Sequence, residues 1–313
     1  MPAARSWGAR GAALTGFLIA ALISIVPGIS RADDDDATVT RAAGPQDRDD
    51  EGVETENLFG FTTGSDVGEP GETELTTEID GAFGKRDGRY TAWRPKLEIG
   101  HTPFRNFAIS LGASLAYHRI EGVTGLDDVD RWMFDTLSLE MKYRFLERGA
   151  SPIGLTLVVE PEWGRVEEDS GERVTKYGAE IKLAADAELV PERLFAAVNV
   201  LYEPERVREA DGEVEKESTF GLSAALTGRV VEGVFLGGEL RYLRKYEGLG
   251  LETFTGDALF AGPTLYVSLP NDWWASAAWN IQVAGQSEDE PERDLNLDQF
   301  ARHEVKFRLG TQF

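Results

Sequence analysis

The three histidines His101, His118 and His303 are all the imidazoles this 313-residue chain has, and it contains no cysteine. A hydroxyl nucleophile needs a histidine within hydrogen-bond reach and an orienting group behind it. Two serines are placed to meet one. Ser114 lies four residues before His118, so an extended chain carries both on one face. Ser287 and His303 flank the last long polar stretch, so a hairpin would bring them roughly across from each other. Neither pairing matches a recognised hydrolase pattern. Walker, dinucleotide-binding and zinc motifs are absent. Without a thiol there is neither a disulfide nor a thiolate metal site. The sequence therefore predicts no catalytic residue, no cofactor and no metal.

The remaining chemistry is ionic, and its spacing is regular. Charged residues of both signs recur at every second position within short segments. Glu78 stands in the first such segment, and Arg94, Lys96 and Glu98 in the second. His118 follows, then Glu140, Lys142 and Arg144, then Glu160, then Glu180 and Lys182. Further on come Glu239 and Arg241, Tyr266, Asn280, and finally Glu304, Lys306 and Arg308. Side chains two apart on a strand share a face, so each group forms one ionic face. Such faces have two uses. They line a water-filled path and set its charge preference, or they neutralise one another inside a closed interior. Small residues on the same parity (Gly112, Gly154, Gly178, Gly221, Gly237, Gly262 and Ala278) favour open volume, hence a narrow channel.

The elements that must carry these faces are strands. In the last segment Val305, Phe307, Leu309, Thr311 and Phe313 alternate with Glu304, Lys306, Arg308, Gly310 and Gln312. Leu137, Leu139, Met141, Tyr143 and Phe145 alternate in the same way with Ser138, Glu140, Lys142 and Arg144. Twelve such segments are read, near 73–85, 89–102, 106–119, 131–146, 152–164, 174–189, 193–204, 216–229, 232–246, 256–269, 272–286 and 298–313. Their connections alternate between short turns and longer polar loops. Pro95, Pro161 and Pro263 fall on the apolar parity and lack a ladder donor, which predicts bulges or slipped strand ends there.

A ribbon apolar on one face and ionic on the other fits a membrane cylinder, because lipid offers no partner for an open sheet edge. The fold expected is all-β: an antiparallel transmembrane β-barrel of about 12 strands over residues 73–313, with both termini periplasmic. A soluble sandwich is the rival, but its strands are usually shorter. On the barrel topology Phe83, Trp93, Tyr117, Trp163, Tyr177, Tyr202, Phe220 and Tyr242 reach one rim. Phe107, Tyr143, Phe145, Trp273 and Phe313 reach the other, as two interfacial girdles would.

What precedes the strands is of another kind. Arg5 and Arg10, an apolar run from Ala12 to Val26, and Ser30-Arg31-Ala32 have the layout of a secretory signal peptide over residues 1–32. Its removal takes the net charge from −23 to −26. Residues 33–72 carry 13 acids and two arginines and are expected to be an acidic, mostly disordered periplasmic segment. Within it Leu58-Phe59-Gly60-Phe61-Thr62 is the one apolar patch. It is read as chain packed under the fold, with a plug strand or a periplasmic docking peptide as alternatives.

The ending Phe307-Arg308-Leu309-Gly310-Thr311-Gln312-Phe313 resembles the C-terminal signature of Gram-negative outer-membrane β-barrels. In that superfamily a terminal aromatic on an alternating strand is read by the barrel insertion machinery, a role the resemblance implies for Phe313. Leu58 to Glu72, Gly262-Pro263, Trp273-Trp274 and Trp279 are loosely similar to poorly characterised outer-membrane transporter barrels. The resemblance implies export to the outer membrane of a Gram-negative bacterium. The partners expected there are outer-membrane lipid, lipopolysaccharide and the insertion machinery. A strongly acidic chain repels phosphate, so no nucleic acid is expected. The function expected is a passive channel or transporter for small solutes with a charged lumen. A closed structural or docking barrel is the alternative, and a lipid-modifying hydrolase the third reading.

Overall fold

The computed structural model describes residues 53–288 and 291–313. The expected signal peptide and residues 33–52 of the acidic segment lie outside the described residues. Twelve antiparallel strands close on themselves. They are β1 (Thr73–Phe83), β2 (Arg89–Phe104), β3 (Phe107–Glu121), β4 (Val129–Leu146), β5 (Gly154–Val166) and β6 (Arg173–Val190), followed by β7 (Leu194–Arg208), β8 (Val214–Val231), β9 (Val234–Glu247), β10 (Thr253–Leu269), β11 (Trp273–Ser287) and β12 (His303–Gln312). Each strand pairs with its neighbours in sequence. Closure comes from β1 against β12, in a register running from Glu74 opposite Gln312 to Phe83 opposite His303. Thr73 and Phe313 finish the seam by exchanging both backbone hydrogen bonds at 2.9 Å.

The alternation of the sequence becomes inside and outside. Leu97, Ile99, Leu111, Leu137, Leu236, Leu240, Phe307 and Leu309 are exposed on the outer surface. Their neighbours of opposite parity, Ser110, Ser114, Ser138, Glu160, Glu239 and Asn280, are buried inside. Aromatic pairs mark both rims: Phe83 with Trp93, Tyr117 with Trp132 and Phe134 with Trp163 at one, Tyr143 with Phe145 at the other. Short turns gather at the end that carries Thr73 and Phe313. The turn at Asn271-Asp272 has positive φ at both residues, the conformation a tight hairpin needs and one that Asn and Asp tolerate. Longer loops gather at the opposite end.

Three expectations are corrected. The three prolines mark neither bulges nor strand ends. Pro95 stays opposite Ile79, Pro161 opposite Ala179 and Pro263 opposite Gly238, with no register shift at any of them. Each turns its missing donor to the other neighbour, where two consecutive residue pairs are skipped. The register shifts fall elsewhere, for example between Ala113 and Leu115 and between Leu259 and Phe260. The last strand also begins at His303 rather than near 298, because Phe300 and Ala301 are drawn into buried apolar clusters at the long-loop end.

The largest correction concerns residues 53–72. They are the described part of the 33–72 segment expected to be mostly disordered, and they are ordered: Val53 to Gly68 is inserted into the barrel, so the Leu58–Thr62 patch forms a plug, the alternative reading, rather than chain packed under the fold. Leu58 and Phe59 are fully buried there against Phe195, Ala197, Ala225 and Phe235, with Val53 and Tyr266 packed alongside. The physical reason is an apolar pocket on the inner wall that the ionic parity conceals. Burying two large side chains in it offsets the cost of ordering a polar loop.

Candidate functional site: the plugged ionic lumen

The inserted segment is a loop whose two ends leave by the same mouth, so it forms a plug tethered at the short-turn end. Its neck is closed by Leu58 N donating to Thr55 O (3.2 Å) and Gly64 N donating to Glu56 O (3.4 Å). Gly64 sits where a Cβ would come within 2.1 Å of Thr55 O, so only glycine allows the two arms to approach. At the neck Arg148, from the β4–β5 turn, donates to Val53 O (2.7 Å), Thr55 Oγ1 (2.7 Å), Asp66 Oδ2 (2.8 Å) and Asp186 Oδ1 (3.0 Å). Asp186, on β6, accepts from Thr55 Oγ1 (2.5 Å) and Ser65 N (2.6 Å) through its other oxygen.

The wall reaches the plug at every level. Lys142 pairs with Glu56 at 2.5 Å and with Glu140 at 2.8 Å. Arg144 lies 3.7 Å from Asp66. Arg308 donates to Asn57 Oδ1 (3.0 Å), Phe59 O (3.2 Å) and Gly60 O. Towards the tip, Glu239 accepts from Phe61 N (3.1 Å), Thr62 N (3.0 Å), Thr62 Oγ1 (3.1 Å) and Asn280 Nδ2 (2.7 Å). Asn199 and Thr63 exchange two hydrogen bonds, at 2.7 and 2.8 Å. The Phe61 ring ends the plug, with the Arg241 guanidinium 4.0 Å from its centroid.

Beyond Phe61 lies a cavity of about 430 Å³. The plug tip floors it, and residues 167–169 and 299–301 from the long-loop end overlie it. Its wall carries twelve carboxylates and seven cationic side chains. Every one of the seven is ion-paired within the protein. Arg94 meets Asp135 (2.9 Å) and Lys96 meets Glu160 (2.6 Å) and Glu98 (2.8 Å). Lys176 meets Glu205 (2.9 Å), Lys182 meets Glu180 (2.6 Å), Arg241 meets Glu304 (2.7 Å), Lys245 meets Asp169 (3.0 Å) and Lys306 meets Glu78 (2.8 Å).

The β5–β6 loop, residues 167–172, turns inward. Asp169 bridges Lys85 (2.9 Å) and Lys245, and Glu168 pairs with Arg94 at 3.2 Å. The Glu168 carbonyl lies 2.8 Å from His118 Nε2 and accepts from Tyr90 Oη at 3.3 Å. Three adjacent acids thus have three different environments. Arg94 holds the Glu168 carboxyl down at about 2. Burial would raise Asp169, but Lys245 and Lys85 outweigh it and keep that carboxyl well below the ordinary range. Burial pushes Glu167 up to about 7, beyond what Lys176 offsets.

Of the residues singled out from sequence, Glu78, Arg94, Lys96, His118, Glu160, Glu180, Lys182, Arg241, Glu304 and Lys306 border the cavity. Lys142, Arg144, Glu239, Tyr266 and Arg308 meet the plug instead, Asn280 reaches it through Glu239, and Glu98 and Glu140 each pair with a lysine on their own strand. Phe313 is exposed at the seam. Neither serine–histidine pair is assembled. Ser114 donates to Asp135 (3.0 Å) while His118 turns to Glu168. Ser287 stands opposite Gly256, whereas His303 stands opposite Ile281 and packs on Trp279.

Sequence reasoning passed over Arg148 and Asp66. For the plug a signal existed: Phe195, Ala197 and Phe235 share inward parity with Asn199, Glu239 and Arg241. Apolar groups on a polar face ask for an apolar partner.

A closed twelve-stranded antiparallel cylinder, apolar outside and ionic within, has the fold of outer-membrane β-barrels. The chain belongs to the family described as "Family of unknown function (DUF6662)", whose model matches residues 51–313. Among solved structures it is similar to the COG4313 outer membrane channel from Pseudomonas putida F1, at 12% identity and a TM-score of 0.57, covering 80% of this chain and 98% of that one. It is also similar to the translocator domain of autotransporter NalP from Neisseria meningitidis, at 15% identity and a TM-score of 0.47 over 80% and 91% of the two chains. The NanC porin gives 11% identity and a TM-score of 0.44 over 77% and 98%. No curated protein matches the chain in sequence.

Proposed function

We propose that this protein is a channel for small solutes in the outer membrane of a Gram-negative bacterium, closed at rest by its own residues 53–68. The observation that carries the reading is the cavity of about 430 Å³ stacked directly on a plug that only non-covalent contacts hold. That volume is within the roughly 300–1,000 Å³ of small-molecule sites. A barrel meant only as a structural post has no need of a polar chamber. Twelve strands lie between eight, which side chains fill, and sixteen, which leave an open bore, so the inserted loop decides whether the lumen passes solute.

In this reading both termini are periplasmic, and the plug faces the periplasm. The outer apolar belt meets outer-membrane lipid, the acidic long loops lie beside lipopolysaccharide, and Phe313 is the residue engaged by the insertion machinery. The likeness to the COG4313 channel supports a pore-forming role through the fold.

Planar-bilayer recording of the refolded protein tests the proposal, comparing the wild type with a chain whose residues 54–66 are replaced by a Gly/Ser stretch of equal length. Rare or small current steps are expected from the wild type, and frequent, larger steps from the replacement. No steps from either would instead favour the closed structural or docking barrel.

A further inference from the structure

The cavity wall is not electrically balanced. With all seven of its cations already matched to carboxylates, Glu162, Glu167, Glu203 and Glu217 border the cavity with no ion-pair partner among the described residues. They are gathered on one side. Glu162 on β5 stands opposite Gly178 on β6, Gly178 opposite Glu205 on β7, and Glu205 opposite Glu217 on β8. Glu203 lies one inward-facing position nearer the plug, opposite Thr219. Gly178 contributes no side chain to this row, and a Cβ there would meet nothing closer than 3.4 Å, so the row has a notch flanked by carboxylates.

An arriving anion finds no free cation among the described residues that line the chamber. To bind, it would have to take Lys182 from Glu180 or Lys176 from Glu205 and leave a carboxylate uncompensated in a poorly solvated space. An arriving cation meets unpaired glutamates and breaks no ion pair. Because residues 167–169 and Phe61 bound the chamber above and below, a solute crossing the lumen passes this wall. A lining with an excess of one sign between low-dielectric walls focuses the field along such a path.

Resting on the channel reading above, we infer that the lumen selects small cations, including organic amines, over anions, and that Glu162, Glu203 and Glu217 determine the preference. The replaced-plug protein and the full wild-type chain are recorded in a KCl gradient, each with native glutamates, with E162Q/E203Q/E217Q and with E162D/E203D/E217D. A severalfold preference for potassium over chloride is expected with the native residues. The Gln set brings the permeability ratio towards one, while the Asp set, which keeps the charge, retains the preference. Current with a ratio at or below one, or a ratio the Gln set leaves unchanged, overturns the inference and leaves the channel reading standing. No current in either background overturns the channel reading and this inference with it.

Discussion

Arg148 Nη2 lies 2.8 Å from Asp66 Oδ2, and the same nitrogen donates to Val53 O at 2.7 Å. One side chain from the β4–β5 connection thereby ties together the two arms of the plug, one just after entry and one just before exit. Arg148 and Asp66 are both largely buried, and Asp186 completes the cluster with a fully buried carboxylate. The neck is therefore where the plug is most concentrated in charge and most exposed to loss of a single group.

Replacing Arg148 with Ala leaves Asp66 and Asp186 without their shared cation. Breaking a buried pair by removing one partner costs about 3–5 kcal/mol. The plug is expected to leave the lumen while the strand ladder persists. Limited proteolysis should cut within residues 53–68, and single-channel conductance should rise; a variant as closed and as resistant as the wild type would remove the clasp from the account.

Gly60 packs against the wall so closely that a Cβ would lie 2.4 Å from Glu239 Oε1 and 2.6 Å from the Ala278 Cβ. A valine there cannot be seated with Glu239 still accepting from Phe61 N and Thr62 N. Gly60→Val should release the tip, leave the Arg148 neck formed and give an intermediate conductance, measurable against R148A in the same bilayers.

Phe59 anchors the plug by burial rather than charge. Phe59→Ala removes about 3–5 kcal/mol of packing from a fully buried site. Because the barrel seam and ladder do not include Phe59, the loss should appear in plug docking and not in barrel melting. Two probes, protease access to residues 53–68 and loss of strand signal on heating, are expected to move apart. A lowered barrel melting temperature with the plug still protected would contradict this division.

Loop 167–172 should dock with a bell-shaped pH dependence. Glu168 and Asp169 have folded-state values below their unfolded ones, so their contribution is present above about pH 4 and is lost as pH falls towards 2. Glu167 is raised to about 7, so its contribution is complete below about pH 4.5 and is lost as pH rises through 7. Protection of the loop from proteolysis is expected to peak near pH 4–5. Glu167→Gln should flatten the alkaline limb alone; loss of the acidic limb instead would reverse the assignment.

How much of this the residues announce by themselves can be judged strand by strand. The alternation of Val305, Phe307 and Leu309 with Lys306 and Arg308 determines which faces turn to lipid and which turn inward, because side chains on a strand alternate whatever the rest of the fold does. The same local rule yields twelve strands and a cylinder with no free edge. It places Lys96, Glu160, Lys182 and Lys306 inside, yet says nothing about which carboxylate each one meets. Lys96 finds Glu160 at 2.6 Å from 64 residues away, a distance that strand tilt and closure set. Prolines mislead the local reading, since a missing donor suggests a break but costs only two adjacent residue pairs on one side. The plug lies furthest from local reach. Nothing in Leu58-Phe59 specifies a partner, and Phe195, Ala225 and Phe235 look like blemishes on three separate inner faces until closure brings them to one depth. Only the tertiary structure assembles that pocket and, with Arg148, turns an acidic leader into a stopper. Periodicity is a property of neighbours along the chain, whereas a lumen and what fills it exist only between strands remote in sequence.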